Sequence, residues 1–278
     1  MNWIATIVVL VVIGFILDRE IYFYEGAHLG PRLQSWLYDR WSKKYDAGKR
    51  ASQLHDREML AQPLLEKLKD IGEPFILDFA TGTGRLSYAL IDHPDFHGRI
   101  IALDISQGML AQAAVKLDRV QPGRSEVEFL CHQSMPLPFA DACFDAVCCL
   151  EVLELLPDAR LALEEMSRLV RPGGILLTSR GTEESGRKAK VKSEAELTSL
   201  LKSCGFENIQ ITKWWKLFDR VFADKNGTSR PGGRKSLIDM LKCSSCGHTQ
   251  WRKTPNRWKC EHCGRELAVL SEGIVLNE

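Results

Sequence analysis

The chain has 278 residues with 37 Lys and Arg against 36 Asp and Glu, a formal net charge of +1, which excludes a uniformly polybasic nucleic-acid or polyanion binder. Its length exceeds the ~100–200 residues usual for one domain, so about two folding units are expected. Five of the nine cysteines (Cys131, Cys143, Cys148, Cys149, Cys204) sit in or beside apolar runs, where a free thiol behaves as a small hydrophobe, and this argues for a reducing compartment over a disulfide framework.

From Trp3 to Leu17 the sequence carries no charge, and with Met1 and Asn2 the run just meets the ~17-residue lower limit for crossing a ~30 Å hydrocarbon core. No Lys or Arg precedes it, and Asp18-Arg19-Glu20 offers no small-residue cleavage site, so the segment reads as an anchor (residues 1–24) and not as a signal peptide. Arg32, Arg40, Lys43, Lys44, Lys49 and Arg50 follow it, which by the positive-inside rule places the remainder of a single-pass protein in the cytoplasm. Residues 25–72 form a lid or linker in which the pattern from Trp36 to Leu68 is helical, with Gly48 and Pro63 as expected breaks.

The next unit, residues 73–224, opens with a buried strand at Pro74–Leu77 and the run Leu77-Asp-Phe-Ala-Thr-Gly-Thr-Gly-Arg-Leu86. Gly82 and Gly84 allow a backbone to approach a ligand where a Cβ would collide, and Asp104 closes the second strand at the distance of an acid that accepts from ribose hydroxyls. A third glycine at position 87 would complete a dinucleotide fingerprint, but Ser87 stands there. The pattern Asp78-x-x-x-Gly82-x-Gly84 resembles motif I of the class I S-adenosylmethionine (SAM)-dependent methyltransferases. The likeness extends through Asp104-Ile-Ser-x-x-Met109, Met135-Pro-Leu-Pro-Phe139, Phe144-Asp-Ala-Val and Arg171-Pro-Gly-Gly174, and is similar to the branch containing the ubiquinone and menaquinone C-methyltransferases.

That resemblance implies an α/β fold, a doubly wound, mostly parallel seven-stranded sheet ending in an antiparallel hairpin. It also implies SAM as cofactor: Ala80, Gly82 and Gly84 at the amino-acid end, Asp104 at the ribose, Met109 against adenine, and Leu150 and Glu151 toward methionine and acceptor, with Asp78 and Ile105 also among the cofactor-binding residues. Met109 reads equally as an ordinary core methionine. Where the family usually has an aspartate for the adenine amino group this chain has Gln133-Ser134, and Gln133 can accept through its amide oxygen. Tyr45, within Tyr38-Asp-Arg-Trp-Ser-Lys-Lys-Tyr-Asp46, matches a lid tyrosine facing the cofactor, although an interfacial helix near lipid suits the same residues. No catalytic residue is assigned; Glu151, Glu154 and Tyr45 are the groups to inspect for proton removal.

Residues 225–240, rich in Gly, Pro and polar side chains, read as a linker. In 241–278, Cys243-x-x-Cys246 and Cys260-x-x-Cys263, each followed by glycine, carry the spacing of a zinc ribbon with four thiolate ligands. His248 and His262 read as neighbours of the metal. The stretch Leu241–Lys259 holds five basic residues, two tryptophans and no acid, so RNA contact is physically reasonable, but docking on its own chain or on a protein partner is favoured. Its ending is somewhat similar to the small zinc-ribbon activator subunits that bind methyltransferases. The function expected is therefore methyl transfer to a hydrophobic small molecule, a quinone or lipid precursor, with RNA or protein recruited by the ribbon as the alternative.

Overall fold

The structure is a computed structural model, and it describes residues 3–120, 126–156, 158–185, 191–233 and 235–277. Met1 and Asn2 of the anchor, Arg234 of the linker and Glu278 of the ribbon lie outside the described residues.

Alternating and continuous apolar runs form the strands β1 (Phe75–Phe79), β2 (Arg99–Asp104), β3 (Val127–Cys131), β4 (Phe144–Cys149), β5 (Val170–Gly181), β6 (Phe206–Trp215) and β7 (Phe218–Lys225). They lie in the order β6-β7-β5-β4-β1-β2-β3. Only β7 runs antiparallel to its neighbours, so the expected mostly parallel sheet with a final hairpin is present. Side chains alternate between faces: Phe75, Leu77 and Phe79 of β1 join one apolar core, and Ile76 joins the other. Helices α6 (Ala159–Leu169) and α7 (Glu194–Ser203) cover the first face, while α3 (Gln62–Lys67), α4 (Arg85–Ile91) and α5 (Gln107–Val120) cover the second. Asp158 and Ser193 cap α6 and α7 by accepting from the first-turn N–H groups.

The ribbon does not stand apart from this sheet. Its strands β8 (Trp251–Thr254), β9 (Arg257–Cys260), β10 (Glu266–Val269) and β11 (Ile274–Leu276) continue it, with β11 pairing parallel to β3 through Ile274–Phe129, Val275–Leu130 and Leu276–Cys131. One eleven-stranded sheet results. Trp251, Trp258, Leu267 and Val275 share the core of the first face, so the ribbon buries its apolar side on its own chain. The stretch read as a linker is packed as a strap. Gly232 N–H donates to Asp145, the Ser229 hydroxyl donates to the Pro172 carbonyl, and a Cβ on Gly232 would stand 2.9 Å from the Cys143 carbonyl oxygen. Gly232 thus serves close packing.

At the amino terminus, α1 (Trp3–Asp18) has sixteen residues, none buried. At ~1.5 Å per residue that is about 24 Å. No helix among the described residues is long and apolar enough to cross a membrane. The chain continues through a π-helical turn, Arg19–Phe23, to α2 (Pro31–Gln53), which crosses the carboxyl ends of β1, β2 and β4. The helix runs through Gly48 unbroken, contrary to the sequence expectation, since a single glycine lowers helix propensity by only about 1 kcal/mol and the hydrogen bonds and packing of α2 outweigh it. Pro63 lies in the first turn of α3, directly after the π-helical turn Arg57–Ala61, so the winding changes there but the backbone stays helical.

Candidate active site

Strand order reverses between β1 and β4, and there the carboxyl ends of four strands open into a cavity of about 380 Å3. The turn after β1 is left-handed at Ala80, Gly82 and Gly84, with φ of 55°, 57° and 75°. An added Cβ at Gly82 would meet nothing within 4 Å, so the backbone faces open cavity, whereas one at Gly84 would touch Ala113 of α5 at 3.0 Å. Gly84 therefore packs against α5 and is not among the residues that line the cavity.

Two buried carboxylates hold this turn. Asp78 accepts from the hydroxyls of Thr81 at 2.6 Å and Ser87 at 2.7 Å, and burial raises its pKa. Ser87, where a dinucleotide fingerprint has glycine, thus supplies a hydrogen bond to the turn. Asp104 accepts from the Gly82 N–H at 2.8 Å and the Ser106 N–H at 2.9 Å. Burial pushes its pKa up to about 6, against the lowering effect of those backbone donors. With roughly four lone-pair positions on a carboxylate, it retains capacity for ligand hydroxyls.

Of the residues singled out from the sequence, Tyr45, Asp78, Ala80, Gly82, Asp104, Ile105, Met109, Gln133 and Leu150 line the cavity. Met109 lines the cavity although it is 99 % shielded from solvent. Helix α2 closes over them, as a lid would. Ser35 donates to the Ile105 carbonyl at 2.8 Å, and Asp39 accepts from Ser106 at 2.6 Å and from the Gly108 N–H at 2.7 Å. Asp46 accepts from Thr83 at 2.5 Å and pairs with Lys116 at 2.6 Å. Tyr45 packs edge-on to Tyr38, and burial raises both phenol pKa values, so both keep their protons.

A charged network at the β4 end was not anticipated. Arg85 pairs with Glu151 at 2.6 Å and Asp56 at 2.6 Å and lies 4.3 Å over the Trp214 ring, while Lys49 of the lid reaches Glu151 at 2.5 Å. Glu151 sits at φ 59°, a left-handed conformation unusual for a side chain with a Cβ, with its N–H donated to Ser179. Glu154 is not in the cavity: it is buried beneath β5, where it accepts from the Gly181 N–H, and it drops out as a candidate for proton removal.

In the ribbon, the four sulfurs of Cys243, Cys246, Cys260 and Cys263 lie within 4.8 Å of one another, with Cys243–Cys263 and Cys246–Cys260 each at 3.6 Å. A tetrahedron of Zn–S bonds of ~2.3 Å requires sulfurs about 3.8 Å apart, so the set fits zinc. Gly247 and Gly264, both at φ 77°, return the two knuckles by donating to the Cys243 and Cys260 carbonyls. His248 and His262 stack on each other at 3.7 Å, outside the four-sulfur group.

This fold and a cavity of this construction define a nucleotide-type cofactor site of the methyltransferase class. Residues 77–178 match the family described as a methyltransferase domain. The chain is 30 % identical over 210 residues to a demethylmenaquinone methyltransferase of Lactobacillus johnsonii, covering 64 % of this chain and 86 % of that protein. An O-methyltransferase of Aspergillus nomiae is 34 % identical over 119 residues, 43 % of this chain and 52 % of its own length. A SAM-dependent methyltransferase of Aquifex aeolicus superposes with a TM-score of 0.51 at 22 % identity, over 61 % of this chain and 92 % of that one, a likeness of fold. The chain belongs to the SAM-dependent methyltransferases and is an enzyme of that family.

Proposed function

We propose that this enzyme methylates a hydrophobic small molecule, a quinone or lipid precursor, that enters from a membrane to which the amino-terminal segment holds it. The observation that carries this reading is the apolar lining of the cavity: Met135, Leu137, Val152, Leu155, Leu156 and Leu161 line it together with Ala27, Gly30 and Pro31, which follow α1 and its π-helical turn in the chain. Leu161 and Met135 are exposed at its rim, as are Leu33 and Trp36 on the outer side of α2. Trp36 with Arg40 at 5.3 Å forms the aromatic and basic pair suited to a headgroup layer, and α1 offers apolar surface on all sides. In this reading the catalytic domain is cytoplasmic and α1, too short to cross a membrane, is seated within one leaflet.

SAM, when bound, supplies a methyl group on a sulfonium that leaves without assistance. The chain's work is to bind, orient and exclude water. The Ala80–Gly82 turn would hold the amino-acid end, Asp104 the ribose, and Leu150 and Glu151 the wall beside the reacting centre. The Arg85 and Lys49 cations fix Glu151 in place, and Tyr45 keeps its proton, so alignment of an acceptor behind the methyl carbon supplies most of the rate. Zinc in the four-thiolate site would lock the ribbon and, through β11, the edge of the sheet.

The alternative, an RNA substrate drawn in by the ribbon, loses support in the folded chain. Arg252 pairs with Glu261 at 3.3 Å and Arg257 with Glu266 at 2.8 Å, so acids beyond Lys259 neutralise half of the basic hairpin. The test is a methyl-labelled SAM incubation with a membrane lipid extract beside total RNA. Label in an organic-extractable product supports the proposal, and label in RNA overturns it in favour of the alternative.

A further inference from the structure

The cofactor reading leaves the purine without a dedicated acceptor, since the position where an acid is expected carries Gln133. An amide can present either its oxygen or its nitrogen, so Gln133 fits a 6-amino or a 6-oxo purine equally well by flipping. Discrimination requires a group whose donor and acceptor roles are fixed from outside.

Such a group stands next to it. If the ribose lies at Asp104, the base extends past β2 toward the neighbouring strand in sheet order, β3, whose end is His132-Gln133-Ser134. His132 N–H donates to the Asp104 carbonyl at 3.0 Å, which puts this turn beside the ribose acid, and all three residues line the cavity. His132 Nδ1 lies 2.8 Å from the backbone carbonyl oxygen of Asn277, just past β11. A carbonyl can only accept, so Nδ1 carries the proton. Burial lowers the His132 pKa and outweighs the raising effect of the Asn277 and Ser134 backbone groups, so the ring is neutral and, with its proton on Nδ1, Nε2 is an acceptor. Nε2 is 3.2 Å from the Ser134 hydroxyl, so that contact is a bond donated by serine. The relay has one direction throughout: serine to histidine to carbonyl. With its proton committed, Ser134 Oγ offers lone pairs only.

We propose that Ser134, with its polarity set by His132 and the Asn277 carbonyl, is the acceptor that reads the purine 6-amino group. His132 is the positioning residue, and the carboxyl-terminal strand takes part in cofactor selection without touching the cofactor. This rests on the placement of SAM given above. A 6-oxo purine would bring its oxygen against the serine lone pairs, an acceptor facing an acceptor.

The experiment measures Kd for S-adenosylhomocysteine and S-inosylhomocysteine by calorimetry in the full chain, in Ser134→Ala and in His132→Phe, with thermal unfolding of each variant as a folding check. The parent should prefer the adenosyl compound by about tenfold or more, as a site built around one hydrogen-bonding pattern does. Ser134→Ala should lower that preference to within about threefold, mainly by weakening the adenosyl compound. His132→Phe frees the serine to rotate and donate, so the preference should collapse mainly because the inosyl compound binds more tightly, an effect that simple loosening of the site would not produce. An unchanged preference in both folded variants overturns the proposal. Failure of the parent to bind S-adenosylhomocysteine at all would instead overturn the cofactor placement, and the proposal with it.

Discussion

The Gly82 N–H donates to Asp104 Oδ2 at 2.8 Å, so the acid at the end of β2 holds the turn at the end of β1 in its left-handed conformation. One carboxylate both shapes the site and awaits a ligand. Its pKa of about 6, raised by burial, ties both roles to pH.

The sign for stability follows from linkage. Because the folded pKa lies above the ordinary carboxylate value, the unfolded chain ionises first, and the free enzyme should lose stability as pH rises from about 4 to about 6, by about 2–3 kcal/mol at most for this group. Cofactor affinity should run the other way. Ribose hydroxyls donate to the carboxylate, so Kd for SAM should be flat above pH 7 and weaken roughly tenfold between pH 7 and pH 5. Calorimetry across that range checks it, with Asp104→Asn expected to flatten the profile.

Arg85 carries the charge balance beneath the site. Replacing it with Ala leaves Asp56 and Glu151, both nearly buried, without their guanidinium, and should cost about 3–5 kcal/mol in thermal or denaturant unfolding. Lys49→Ala removes the partly exposed lid contact with Glu151 and a cation over the Tyr45 ring. It should leave stability nearly unchanged and speed dissociation of S-adenosylhomocysteine several-fold in stopped-flow measurements.

The ribbon should hold one zinc per chain by elemental analysis. Cys260→Ser should lose the metal, and because β11 belongs to the central sheet, the loss should appear as faster amide exchange in β3 as well as in the tail. Exchange confined to residues beyond 241 would contradict the shared core.

Deleting Met1–Leu17 removes no buried side chain among residues 3–17 and should leave SAM binding intact. The intact protein should sediment with membranes, and the truncated protein should not. Recovery of both in the soluble fraction would count against the membrane part of the proposal.

Much of this was legible in the sequence because it is local. Gly82 sits four residues after Asp78, and Asp104 closes the next strand, so spacing alone marks the turn and its acid. The final antiparallel hairpin that the resemblance implies is present as Phe206–Trp215 and Phe218–Lys225. What escaped is non-local. Arg85 looks like the first residue of a helix, and its partners lie 29 and 66 positions away. Counting charge over Leu241–Lys259 missed Glu261 and Glu266, which antiparallel folding brings back across the hairpin. The glycine-rich composition of 225–240 is shared by flexible tethers and by straps that need room, and only the contact of Gly232 with the Cys143 carbonyl separates them.

The central claim is that SAM binds at the ends of β1 and β2, on the Gly82 turn and Asp104. Calorimetric titration of the full chain with SAM, NAD and S-adenosylhomocysteine, repeated with Asp104→Ala, tests it most directly. The account predicts saturable binding of SAM and S-adenosylhomocysteine, none of NAD in the same range, and a loss of about 1.5–3 kcal/mol, at least tenfold in Kd, in the variant. Equal SAM affinity in parent and variant, or tighter binding of NAD than of SAM, would contradict it.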